Sequence, residues 1–340
     1  MNRRIGTILR VGVCALALGL QRRAPAAAET AQSFPGSDKP GANQQIGYHW
    51  QQSETSLALL KGEQVVWRFN FKKEPGKPCF HPLALTDGTV LTGFRPPDHP
   101  WQRALFFSWK YVNHVNYWEE DKNGVAQGET EILDVSVTPR KDFSAQIEMA
   151  LGYHPPAQPP VLTERRLIEV SPPDEAACYR IDWRSEFTAG KEDVLLDRTP
   201  PLGQEGGQAW GGYAGLTVRF APTIRDWQVN NSEGQSGKEE TNGKKARWYD
   251  ISGDFRGDTD EHHLAGIAIL DHPTSLRHPT PWQVNTAEGI HFAAYMPSFL
   301  FHAPYAIPAG GKIRLRHRVL IHPGWLDKSL LEKEWSVFEH

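Results

Sequence analysis

The sequence is short of cysteine and methionine, with three of each in 340 residues. Cys14 falls in the N-terminal apolar run, so a processed chain keeps only Cys79 and Cys178. That leaves room for one disulfide in an oxidising compartment, or for two buried free thiols. No CxxC pair occurs, so a cysteine-built zinc site is excluded. HxH and HExxH spacings are missing too, as are a GxSxG elbow and a GxxxxGK[ST] loop, so zincin, serine-elbow and P-loop chemistry have no anchor. There is no excess of positive charge: 37 basic residues face 40 acidic ones, for a net charge of −3. Neither nucleic acid nor an anionic membrane is an expected partner. Apart from Val11–Leu20, no apolar run nears the ~18 residues that suggest a membrane span.

Glycine (30), proline (26) and tryptophan (12) are plentiful. Aromatic-rich, turn-rich chains of this size are often β proteins that handle sugars, because aromatic faces stack on sugar rings. Arg3, Arg4 and Arg10 precede the short apolar run, and small residues follow it. Residues 1–28 therefore read as a secretory signal peptide, with cleavage near Ala24–Ala28 and a periplasmic or secreted product. Residues 29–45 are polar and turn-rich, a flexible leader. From residue 46 to 340 no composition shift marks a boundary, so a single domain is expected.

Over that span the dominant period is two. Val65, Trp67, Phe69 and Phe71 alternate with polar neighbours. So do Leu133, Val135 and Val137; Phe143 to Leu151; Tyr179 to Phe187; Ala214 to Phe220; Ala265 to Ile269; and Ile313 to Ile321. This is the pattern of half-buried antiparallel strands. Only Asp327 to Phe338 carries a helical period, with Leu331, Trp335 and Phe338 at i, i+4, i+7 and Asp327 as the cap. Asn230 to Lys245 is polar and reads as a long exposed loop. The expected fold class is all-β, a large antiparallel β-sandwich of fifteen or more strands with few short helices.

Two stretches carry the chemistry. Cys79 to Glu120 holds three histidines, three tryptophans and a terminal acid pair. Within it Pro96, Pro97 and Pro100 stiffen the loop that bears Arg95, Asp98, His99, Trp101, Gln102 and Arg103. Ile269 to Trp282 repeats the grammar with Asp271, His272, Arg277, His278 and Trp282. The two Asp-His-Pro loops are expected to converge on one cleft. Histidine suits acid–base work near neutral pH, which makes His81, His99, His272 and His278 candidates. Glu119 and Glu120 point to opposite faces of a strand; Glu120 is the favoured one, paired with Asp271 as the carboxylates of a glycoside hydrolase. Arg95, Asp98, Gln102, Arg103, Lys110 and Arg277 would hold the substrate. Trp101, Trp109, Trp210 and Trp282 would stack on it. No metal site and no cofactor are expected.

The runs CFHPLALTDG, RPPDHPWQRALFFSWKYVN, NYWEE, WGGYAGLTVRF and ILDHPTSLRHPTPW together resemble a bacterial family labelled PmoA-like. The resemblance spans most of the mature chain. The label suggests a methane monooxygenase subunit, an integral membrane protein, whereas this sequence has no such span. What the resemblance implies is a galactose-mutarotase-like supersandwich and carbohydrate chemistry. It also marks a departure, because members carry histidine where this chain has Gln102, and glycine where it has His114. Gln102 hydrogen-bonds but cannot shuttle a proton. The sequence thus supports an exported carbohydrate-active enzyme, hydrolase or lyase, acting on a saccharide by His/carboxylate chemistry. The alternative is a non-catalytic saccharide-binding protein on the same scaffold.

Overall fold

Two eight-stranded antiparallel sheets face each other across an aromatic core, and the computed structural model describes them over residues 47–72 and 77–340. The expected signal peptide and leader lie outside the described residues. The front sheet runs, in spatial order, Tyr48–Gln52, Ser56–Lys61, Gln64–Asn70, Cys79–Leu83, Leu105–Ser108, Gly215–Arg219, Phe292–Pro297 and Trp282–Ala287. The back sheet runs Arg225–Asn231, Trp248–Asp254, Leu264–Asp271, Lys312–Pro323, Tyr179–Ala189, Leu162–Val170, Ala145–His154 and Glu129–Pro139. A small four-stranded sheet joins Tyr305–Ile307, Val194–Asp197, Tyr111–Val112 and Val115–Asn116. The expected all-β antiparallel sandwich is thus present.

Period-two patterning decides which side of each strand is inside. Along Tyr179–Ala189 every odd-numbered side chain is buried and every even-numbered one is half-buried. Phe80 meets Trp183, and Phe107 meets Phe187, across the gap between the sheets. Two tyrosines pin the layers: Tyr179 donates to the carbonyls of Val66 and Ala84, and Tyr295 to that of Ile267. Full burial of one such aromatic contributes about 1.5–3 kcal/mol, and the core holds many. Cys79 and Cys178 are both buried free thiols, which settles the open choice between disulfide and thiols. Burial pushes each thiol up to about 12, so neither is a ready nucleophile.

Three expectations need correcting. Leu133 is exposed, because a register shift between Ile132 and Asp134 turns the strand and sends Ile132 inward instead. The stretch Asn230 to Lys245 is not simply a loop: it ends one strand and contains the short helix Gly237–Thr241, whose Thr241 is buried. The C-terminal helix Lys328–Phe338 forms with Asp327 at its N-cap, but the Asp327 side chain makes no capping hydrogen bond. That helix is held by its apolar stripe (Leu331, Trp335, Phe338) and by Glu334, which accepts from Arg180 and Arg318 on the back sheet.

One charged network lies inside the core. Glu164 and Arg166 form an ion pair at 2.7 Å with no exposed side-chain surface. Tyr153 and Ser185 also donate to Glu164, and the Arg166 guanidinium lies over the Trp183 ring. Removing one partner of a buried pair leaves an uncompensated charge, at a cost of about 3–5 kcal/mol. Glu164→Ala should therefore lose stability of that order in urea denaturation; a loss under ~1 kcal/mol would mean that water reaches Arg166.

Candidate functional site

The outward face of the front sheet is polar and partly covered. Strand register places Cys79 opposite Phe106, Phe106 opposite Thr217, and Met296 opposite Gln283, and Thr217 Oγ1 reaches Met296 Sδ at 3.4 Å. This cross-strand row lies on the side away from the core. Trp118 and Tyr213 pack onto Cys79, Phe106 and Met296, with Trp101 at the margin. Arg219 follows Thr217 along the same face, with its guanidinium 3.8 Å from the centre of the Phe292 ring.

The proline loop is held over this face by its own turns and by Glu120. The amides of Arg95, His99 and Gln102 bond to the carbonyls of Gln102, Pro96 and His99. The Glu120 carboxylate, 4% exposed, meets Arg103 at 2.5 Å, Lys77 at 3.3 Å and Arg95 at 3.5 Å. Lys77 Nζ also donates to the carbonyl of Trp118. Burial brings Lys77 down to about 8, against the pull of Glu120. Glu120 thus ties the segment before Cys79, the proline loop and the Asn116–Glu120 turn together.

Asp98, His99 and Arg219 form the site's central chain. His99 Nδ1 lies 2.7 Å from Asp98 Oδ2, and Arg219 Nη2 donates to the same carboxylate at 2.9 Å. Burial would raise Asp98, but the bonds from His99 and Arg219 outweigh it and hold the carboxyl below its ordinary value. With Nδ1 engaged, Nε2 is the ring atom left to exchange a proton. The His99 ring packs on Phe292 and Trp101. Beyond Trp118 a second group gathers around Glu119, which accepts from Lys110, from Asn116 at 2.7 Å and from Tyr213 at 2.6 Å. Burial opposes ionisation of Glu119, yet these bonds keep its pKa below the ordinary range. Its side chain is 28% exposed against 4% for Glu120, so Glu119 is the more accessible acid.

Several buried polar atoms on this face have no hydrogen-bond partner: Arg219 Nε and Nη1, Gln102 Oε1 and Gln283 Oε1. Buried polar groups are paired in the great majority of cases, so such a cluster calls for an explanation. Arg219 and Gln283 were not among the sequence candidates. Arg219 lies in the WGGYAGLTVRF run and Gln283 just past ILDHPTSLRHPTPW, but neither has a local feature that marks it as functional, and the strand register brings them to this face.

The remaining candidates lie in other surroundings. His81 is stacked on Phe94 at 5.0 Å, with Thr92 Oγ1 near Nδ1. A groove of about 680 Å³ that includes Pro82, Thr92, Phe94 and His263 runs beside it. Trp109 and Trp282 are fully buried core residues, Trp109 against Phe187 and Trp282 against Tyr249, with no face open to a ligand. Trp210 is 48% exposed and packs on Tyr213. Asp271 is buried, accepting from the Thr280 amide with His278 at 2.8 Å and His317 at 3.5 Å. His272 meets Arg316 and Thr274, and Arg277 donates to the carbonyls of Phe299, Ala303 and Pro304. Among the described residues no hydrogen bond, ion pair or ring contact joins residues 95–103 to residues 271–282. No group of three or more His, Cys, Asp or Glu side chains among them is placed to hold a metal ion. No helix among them is long and apolar enough to cross a membrane.

Fold and face together define an antiparallel β-sandwich protein with a polar, aromatic-lined sheet face. Residues 56–336 match the model of a family of unknown function, DUF6807, and the chain belongs to that family. That description gives no activity, and the PmoA-like assignment drawn from the motifs is finer than it. A search of curated proteins finds no match. Among solved structures the chain is similar to the α-galactosidase from Lactobacillus brevis, with a TM-score of 0.40 and 8% identity. The likeness covers 83% of this chain but only 40% of that one. At that score it says nothing about activity.

Burial lowers His81 to about 4, and burial with Arg316 does the same for His272. An unfolded imidazole binds its proton near pH 6.5, so between pH 6.5 and 4 the unfolded chain holds more protons than the folded one. Stability should be fully present above pH 6.5 and fall as the pH drops toward 4. Scanning calorimetry across that window should show a falling Tm and a shallower fall in His81→Gln. A Tm in His81→Gln that tracks the parent at every pH would show that His81 is solvated.

Proposed function

We propose that the protein is an exported, carbohydrate-active protein that binds a saccharide on the outward face of the front sheet and cleaves or modifies it by acid–base chemistry. The observation that carries this reading is the set of unpartnered buried donors and acceptors among aromatic rings. A sugar presents hydroxyls that both donate and accept, above an apolar ring face. Arg219 donates to ligand oxygens, Gln102 and Gln283 accept from hydroxyls, and Trp101 and Trp210 offer ring faces. His99, oriented by Asp98, is the proton carrier: it protonates a leaving glycosidic oxygen, or takes the proton beside a carbonyl. Glu119 is the second group in place of Glu120, which three cations occupy. The finer parts of the proposal come from the sequence: cleavage of residues 1–28, a leader over 29–45, a single domain over 46–340, and a periplasmic or secreted destination.

A binding-only reading is favoured by one feature. Gln102 stands where the resembled family carries histidine, and its buried Oε1 has no partner. The test is incubation of the processed protein with pooled oligosaccharides and polysaccharides, including oxidised keto-glycosides, with products followed by mass spectrometry. A product shifted by water addition marks a hydrolase, and one formed by elimination marks a lyase. His99→Ala should lower turnover ~10²–10⁴-fold while sparing ligand-induced thermal stabilisation. Unchanged turnover in both His99→Ala and Asp98→Asn would remove the site from this face. Ligand stabilisation without any product supports binding only, and Gln102→His is then the variant in which turnover should appear.

A further inference from the structure

The outward face of the back sheet carries a second, differently built concavity. The strands Leu162–Val170, Tyr179–Ala189 and Lys312–Pro323 lie side by side there. Register places Arg184 directly opposite Arg316, and Glu186 between Arg165 and Arg314. Like charges directly opposite on a sheet repel, and here the local acids do not balance them. Glu186 is shared by Lys312 and Arg314. Arg184 has Glu169 at 3.1 Å, between two well-exposed side chains. Arg316 Nη1 donates to a neutral acceptor, His272 Nε2, at 2.6 Å, and its guanidinium lies over the Phe338 ring. The Nε atoms of Arg184 and Arg316 are buried without a partner. Arg165 is exposed, with no ion pair among the described residues.

These guanidinium groups surround a trough of about 510 Å³, whose lining includes Leu167 and the carboxylates Asp134 and Glu148. That is room for a small organic ligand, more than a bare inorganic ion needs. Guanidinium pairs match the planar oxygens of a carboxylate. The flanking carboxylates accept from hydroxyls, and Leu167 offers an apolar patch to a ring face. We propose that this trough binds an acidic sugar of the uronate type, its carboxylate between Arg184 and Arg316 and its hydroxyls toward Asp134 and Glu148. The site is separate from the front-sheet face and stands whether or not that face is catalytic.

Isothermal titration of the full chain at fixed ionic strength tests this, with D-glucuronate, D-glucose and sodium sulfate as probes. Glucuronate should bind saturably and glucose should not. Arg184→Gln should weaken glucuronate at least about tenfold with Tm unchanged, and Arg165→Gln, altered at an exposed position, should weaken it less. No saturable glucuronate heat overturns the proposal. So does glucuronate binding that survives Arg184→Gln but is lost in Asp98→Asn, which would place the ligand on the front sheet. Sulfate binding as tightly as glucuronate overturns the sugar assignment.

Discussion

Each sheet has one side that must leave water, and the rest of this structure depends on that requirement. Alternation along the long central strands puts Tyr179, Ile181, Trp183 and Phe187 on one side and charged residues on the other. Once two such sheets meet, their outward faces are free to differ. The front one gathers aromatic and uncharged polar groups with a few paired ions. The back one gathers arginines and the C-terminal helix. The Glu164–Arg166 pair is charged yet lies inside, tolerated because Tyr153 and Ser185 complete the carboxylate's bonds.

Loops give the front face its chemistry, and ion pairs give the loops their rigidity. Glu120 draws both ends of the proline loop, Arg95 and Arg103, and Lys77 from the segment before Cys79 onto one carboxylate, which leaves Asp98 and His99 projecting from a braced turn. Arg219 then sets the position of Asp98 from the sheet beneath. A rigid support of this kind is what a binding or catalytic group needs if it is not to lose affinity or rate to disorder. The two neighbouring acids have divided the work: Glu120 braces the loop, and Glu119 stays within reach of solvent.

The second Asp-His-Pro stretch turns the same residue types to a different use. Asp271 is enclosed between His278, His317 and the Thr280 amide. Trp335 of the C-terminal helix donates to its backbone carbonyl and stacks on His278. Arg277 satisfies three backbone carbonyls. These groups close a corner of the sandwich against the helix, and their polar atoms face protein. Similar local grammar in Cys79–Glu120 and Ile269–Trp282 therefore reflects similar turns, since both stretches leave a strand through a proline-braced bend.

How much was legible follows from the range of each interaction. Strand positions, the lone amphipathic helix and the stiff proline loop depend on neighbours two to four residues apart, and the sequence by itself determined them. It also placed Asp98 and His99 on that loop, although it assigned Asp98 to substrate binding, and only the structure shows the two side chains bonded to each other. The outward turn of Leu133 was hidden, since a register shift is a property of two strands. The burial of Trp109 and Trp282 was hidden as well, because a tryptophan beside a polar loop looks the same whether it faces the core or a ligand. Tyr213 and Arg219 lie in the WGGYAGLTVRF run, yet nothing in that run gives them a role, and with Gln283 they join the front face through cross-strand register and packing. The tertiary structure alone decided these, because side-chain pairing across sheets is set by contacts up to a hundred or more residues apart, which no local pattern encodes.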